Sequence, residues 1–557
     1  MKILTLSSLV FLSFLTAARA ATPPEGDAVF DAMRDEIGRS MKKLDMDKLG
    51  KPCFLSYHVW DGHSFGVSAS FGELERYSSR DYRQLKVDLR VGNGKLDNSH
   101  FAASVWDGYS ADSEQYVPFE ENYDALRFAL WSVTDRAYKK ALETYSKKKA
   151  FIESKNLAEL YDDMTPAPAS ALLRPAAAER MDEEAWRDRV RAVSAVFRAY
   201  PQVKTSSVVM NFSSGRVSFL NSEGSFARQP ACSGTVAISA VTYAPDGFPL
   251  RASYREDFCL AKDAPPLERL LAKANDIGRE LTSMTRSEPL KAYIGPVLFE
   301  EAAAGKFFEG LLVYNLSNPR EIWVEKTRWT PDSVFRRPGQ LVERLGMRVT
   351  SPFLNVVDDP LARYHEGRPL SGFYEVDDEG VPAQKVQLVT KGKLSGYYMS
   401  RAATRDFNRS NGHGRAGQDD YPAGGPANVF IVPENNPARV LPMAGLVKKF
   451  LELCAEQEQE YCIKVKRMDN LNAPFAAWKV YLDGREEPVH GIEFTGVNLR
   501  ALRDITAVSS ETYVHNLGWS VPGAIITPSL LVQEMEIKKS DQKPEKKPYL
   551  PHPYFGK

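Results

Sequence analysis

Four groups of residues have types and spacings that chemistry could use. Gly62-His63-Ser64-Phe65-Gly66 matches GxSxG, the pattern that holds a nucleophilic serine on a tight strand-to-helix turn. The following "VSASFG" alternates like a strand, so the five residues read as a hairpin turn and serine hydrolase chemistry is disfavoured. Gly412-His413-Gly414-Arg415-Ala416-Gly417 matches the GxGxxG of dinucleotide sites, but no strand precedes it and "QDDYPAGGP" follows where a helix is required. It reads as a flexible glycine-rich loop able to line a cleft. A zinc peptidase needs two imidazoles one helical turn apart and a glutamate to activate the bound water. Neither HExxH nor HExxxH occurs. Of eight histidines only His58 and His63 are close, and on a strand residues five apart face opposite ways; His365-Glu366 has no second histidine nearby. The five cysteines are the fourth group. Leu446, Phe450 and Leu453 have helical spacing while Cys462, Ile463 and Val465 resemble a strand, so Cys454 and Cys462 can pair across a helix end. Cys232 and Cys259 flank a hairpin turning at Ala244-Pro245-Asp246-Gly247, which sets them nearly opposite. Free buried thiols are the alternative for both pairs, and one cysteine stays single or bonds outside the chain.

The elements that position these residues begin after an export signal. Residues 1–20 carry Lys2, an apolar run from Ile3 to Ala17 and the small-x-small site Ala18-Arg19-Ala20. Export implies a periplasmic or extracellular protein and favours disulfides. Arg19 ends the run too early for a membrane span, and no later segment is long enough. The composition, 43% hydrophobic and 26% charged, is that of a soluble globular chain. Seventy-two basic against 72 acidic residues leave no net field to draw nucleic acid.

Asp27 caps a helix with Phe30, Met33, Ile37, Met41 and Leu44 on one face, and strand-like runs fill Cys53 to Val91. A long helix from Tyr123 to Lys149 follows, with a basic, solvated end. "TPAPASALLRPAAA" reads as a connector, Trp186, Val190, Val193 and Phe197 as a helix face, and Pro265-Pro266 as the start of another helix. From Ile294 to Ile537 short strands alternate with glycine-rich turns, and "EEAAAGKFFEGLL" is helix-like. Lys538 to Lys557, with six lysines and two acids, should form a loose tail.

The stretch "EVDDEGVPAQKVQLVTKGKLSGYYM", with its D-x-EG-x-P turn and GxL-x-G hairpin, and the later "SNGHGR" resemble the C-terminal domain of the TldD/TldE (PmbA) metalloprotease family. "NLRALRDITAV" and "TPSLLVQEMEI" look like the end of that domain, and "RVSFLNSEGSFARQ" is similar to the N-terminal half. The resemblance implies an α+β, two-domain architecture: helices on antiparallel sheet over residues 21–286, with a helical insertion at about 121–200, then a strand-rich domain over 287–537 and the tail at 538–557.

Catalytic members carry HExxxH on a helix after a strand and a cysteine near the C-terminus. Here the matching segment is "VLFEEAAAGKFFEGLL". Glu300 and Gly305 take the two histidine positions, Glu301 keeps the general-base position, and no cysteine follows Cys462. The resemblance is therefore to TldE, the zinc-free partner of TldD, and it implies no metal or other cofactor. It also implies binding of extended or unfolded peptides by strand addition, with an HExxxH-bearing TldD-like subunit or a second copy as partner. Two alternatives stand beside this. One is a metallopeptidase with a relocated zinc site around Glu300, Glu301, His365 and His413; the other is a stand-alone peptide-binding protein of the envelope.

Overall fold

The computed structural model describes residues 22–46, 50–102, 114–157, 161–175, 178–324, 339–416, 421–517 and 521–543. The export signal at 1–20 and the tail from 544 onward lie outside the described residues.

The N-terminal half is one seven-stranded sheet carrying helices on one face. Its strands include β1 (Pro52–Ser70) and β2 (Glu73–Val91), with a separate short strand β3 (Phe101–Ala102) between these and β4 (Glu114–Tyr116). They continue with β5 (Ala171–Leu173), β6 (Thr205–Asn221), β7 (Phe226–Tyr243) and β8 (Pro249–Phe258). The sheet order is β4-β2-β1-β6-β7-β5, with β8 added to β7. Alternation along β1 builds two cores on the same face. Leu55, Tyr57 and Val59 pack under α1 (Ala28–Lys43) and α2 (Tyr123–Lys155). Phe65, Val67 and Ala69 pack under α3 (Glu183–Ala195) and α4 (Leu267–Met284). Each fully buried side chain of this kind contributes about 1.5–3 kcal/mol. Asp27 caps α1 by accepting the amides of Val29 and Phe30, each at 3.2 Å.

Several sequence-based expectations are corrected in this half. Residues 62–66 form no turn: β1 runs through them, with Gly62 opposite Tyr82 on β2 and Gly215 on β6. The close approach explains the glycine, because a Cβ on Gly215 would meet the Gly62 Cα at 2.6 Å. The Pro/Ala-rich connector contributes β5, parallel to β7. The end of α2 is not simply solvated: Lys148 is fully buried, donating to the Ser99 carbonyl and the Asp163 carboxylate at 2.6 Å each.

The C-terminal half is a thirteen-stranded sheet organised around the long strand Gly523–Lys539, so the expected tail begins inside a strand. This strand pairs with Ala292–Phe299, with Asn428–Pro433 and with its hairpin mate Ile505–Leu517. Two helices pack against the sheet, α5 (Glu301–Phe308) and α6 (Met443–Glu456). Disulfides join Cys454 at the end of α6 to Cys462 on the next strand, and Cys232 on β7 to Cys259 just past β8, with Cα separations of 5.9 and 5.1 Å. Polar contacts bind the halves together. Buried Arg401 makes a bidentate pair with Glu223 at 2.7 and 2.9 Å, and its Nε donates to the Thr165 carbonyl. Phe219, Ala227 and Val376 close the seam with a small apolar cluster.

Candidate functional site

The strand Ala292–Phe299 is wholly buried at its end, and the chain turns from it directly into α5. Glu300 sits at the turn, donating its amide to the Val465 carbonyl at 2.9 Å. Its half-buried carboxyl lies 3.8 Å from the Lys464 ammonium. Burial raises its pKa and Lys464 opposes the rise. Glu301 opens α5 exposed to solvent with φ +37, a left-handed conformation that costs a non-glycine residue about 1–3 kcal/mol. Its amide donates to Ser529 Oγ at 3.2 Å. One turn on, Gly305 is buried against the strand Ile505–Leu517, and a Cβ there would stand 2.6 Å from both Cβ and Cγ of His515.

His515 belongs to a partly buried cluster that the sequence did not announce. Its Nε2 donates to Glu309 Oε2 at 2.8 Å, and the Lys306 ammonium reaches the same oxygen at 2.8 Å. A carboxylate only accepts, which fixes the proton on Nε2. Glu309 is 5% exposed and begins a π-helical turn, Glu309–Val313, that extends α5. The inserted residue of a π-turn swings a side chain out of helical register, and such turns are common at functional sites. His515 and Glu309 are 206 residues apart, so no local spacing reveals them. The only available signal is a histidine and an acid inside the two segments that the family resemblance marks.

The other expected residues lie elsewhere. His365 bonds Thr512 Oγ1 at 2.8 Å and meets Phe430 edge-on. Thr512 and His515 have opposite parity on their strand, so His365 approaches the face away from the cluster. His413 is completely buried between Tyr374 and Tyr398, with Nδ1 3.1 Å from the Asn411 carbonyl and Nε2 3.6 Å from Asp358. Residues 412–416 of its glycine-rich segment form a packed clasp where a flexible loop was expected, and Gly417 lies outside the described residues. Gly414 donates to Asp377 at 2.9 Å, and Asp377 also accepts the amides of Glu379 and Val381. Glu379 accepts the Arg401 amide at 2.6 Å, and burial pushes its carboxyl up to about 7. Among the described residues no hydrogen bond or ion pair joins Glu300 or Glu301 to His365 or His413.

Serine chemistry at 62–66 also lacks a partner. His63 points to the helical face, between Asp81 at 2.9 Å and Glu183 at 3.1 Å, while Ser64 next to it on the strand points the other way.

A zinc ion, which the resemblance attaches to catalytic relatives, does not fit this arrangement. Position 300 offers a carboxylate already beside a lysine, and position 305 has no side chain and no room for one. The cysteines are far along the chain: four are in disulfides, and burial pushes the Cys53 thiol up to about 12. Among the described residues no three His, Cys, Asp or Glu side chains gather as a metal site.

Residues 293–539 match the PmbA/TldA metallopeptidase C-terminal domain. That span is a C-terminal domain of the PmbA/TldD family. Solved structures resemble this chain along most of their length. TldE from Thermococcus kodakarensis is 16% identical with a TM-score of 0.58, covering 91% of this chain and 99% of that one. A candidate modulator of a DNA gyrase from Thermotoga maritima is 15% identical with a TM-score of 0.58, covering 87% and 96%. Another from Bacteroides thetaiotaomicron is 11% identical with a TM-score of 0.56, covering 92% and 98%. At these identities the likeness speaks for the two-domain α+β fold alone. No curated protein matches the chain in sequence.

Proposed function

We propose that this PmbA/TldD-family protein is an exported, TldE-like subunit that holds extended peptides without cleaving them and works beside an HExxxH-bearing partner. The observation that carries the reading is the start of α5. The strand-to-helix frame is present, but Glu300 and Gly305 stand where two imidazoles are needed, and His515 fills the space at the second position. Export is supported by the leader-like residues 1–20 and by two disulfides. The likeness in fold to a TldE supports the role of a partner subunit.

Peptide capture by strand addition is supported by the outer edge of β2. From Glu73 to Tyr82 its only strand partner among the described residues is β1, since β4 pairs only Gln84, Leu85 and Lys86. An extended peptide can satisfy that edge through backbone hydrogen bonds, which tolerate many sequences. Fluorescence anisotropy with a labelled unstructured peptide tests this. Binding should persist in chelator and weaken at least tenfold when alternate peptide amides are N-methylated. Equal affinity for the methylated peptide would rule out strand addition.

A further inference from the structure

The metal's absence from the ligand set leaves a mechanical question, because a metal held between α5 and the C-terminal hairpin would also tie those elements together. In this chain the tie is made otherwise. Glu309 projects from the π-turn after α5, His515 projects from the strand Ile505–Leu517, and their 2.8 Å bond spans the two elements. Lys306, one turn earlier on α5, puts a second cation on the same carboxylate oxygen. Glu309 is 7% exposed at its side chain and His515 14%, so the pair is shielded from water and resists screening by salt. The same histidine stands over Gly305, leaving no space for a β-carbon.

We propose that Glu309, His515 and Lys306 form a metal-free clasp that joins α5 to the C-terminal hairpin and bars a metal from the position where the family's catalytic members place one. This rests on the metal-free reading above and adds to it. The chain has not merely lost ligands; the vacated space is built over by a replacement contact. Restoring the two histidine positions alone therefore does not restore a metal site. An imidazole at 305 would collide with His515, and displacing His515 would break its bond to Glu309 and with it the link between α5 and the strand Ile505–Leu517.

Thermal unfolding of the full mature chain tests the clasp through a double-mutant cycle. Glu309→Gln and His515→Ala should each lower the midpoint by several degrees, and the double variant should fall no further than the worse single one, because the two groups act as a unit. Additive losses, or midpoints unchanged from the parent, would overturn the proposal. In parallel, E300H/G305H is dialysed against zinc and its metal content measured. No bound zinc and a lowered midpoint are expected; about one zinc per chain, with a midpoint that falls on chelation, would overturn the barred-site part. If that variant does not fold, the cycle still decides the clasp. Zinc bound by the unaltered chain would instead contradict the proposed function, so the two failures are distinguishable.

Discussion

At the scale of single residues, the chemistry of this chain is set by burial of acids more than by exposed nucleophiles. Glu379, enclosed beside Asp377 and the Arg401 backbone, is held up to about 7 chiefly by burial. The unfolded chain releases that proton near 4.3. Between these values the native state binds a proton that the unfolded state has lost, so stability falls as pH rises from about 4 to 7 and levels off above. At about 1.4 kcal/mol per pKa unit the size is on the order of 3–4 kcal/mol. Glu379→Gln should flatten this slope, which urea unfolding at pH 5, 6 and 7 would measure; an unchanged slope would assign it to other groups. The importance of Glu379 was only partly legible in advance. Its motif, D-x-EG-x-P, was visible, but that Asp377 would spend both oxygens on backbone amides of its own turn and of Gly414 depends on a contact between segments more than thirty residues apart. The same limit hid His515 and Glu309.

At the scale of elements, periodicity was a reliable guide and glycine a misleading one. Phe30, Met33 and Ile37 marked α1, and Leu126, Leu130 and Val133 marked α2, because a buried helical face must repeat every three or four residues. Gly62 and Gly66 suggested a turn, whereas they lie within β1 opposite small or polar partners, where the backbone and side chains of the neighbouring strands leave no room for a Cβ. The start of α1 depends on Asp27, and Asp27→Ala should cost about 1–2 kcal/mol in denaturant unfolding, the larger value because Arg228 also loses its ion-pair partner. A loss below a few tenths would show that the cap is redundant. The β7–β8 hairpin is pinned by Cys232–Cys259, which closes a loop with a sequence separation of 27. Replacing both cysteines with serine should cost about 2–4 kcal/mol. Unchanged stability would mean that the β7–β8 ladder alone holds the hairpin.

At the scale of the whole molecule, two sheets of different construction are locked by polar contacts across their seam, and Arg401 is the central one. It is 1% exposed and reaches Glu223, Thr165 and the turn at Glu379 at once. Arg401→Ala removes a buried cation and leaves Glu223 unpaired. Because Glu223 keeps some contact with water, the expected cost is about 2–4 kcal/mol, with the single unfolding transition separating into two as the halves uncouple. A single transition at the parent midpoint would show that the apolar cluster suffices.

This same locked body presents the family's strand-to-helix frame with Glu300, Gly305 and His515 in place of a metal site, and the account stands on that substitution. The most direct measurement is zinc content and peptide hydrolysis of the purified mature chain alone, with and without chelator. The account predicts no stoichiometric zinc, an uncleaved unstructured peptide, and the same peptide binding in both conditions. About one zinc per chain together with cleavage that chelator abolishes would contradict it.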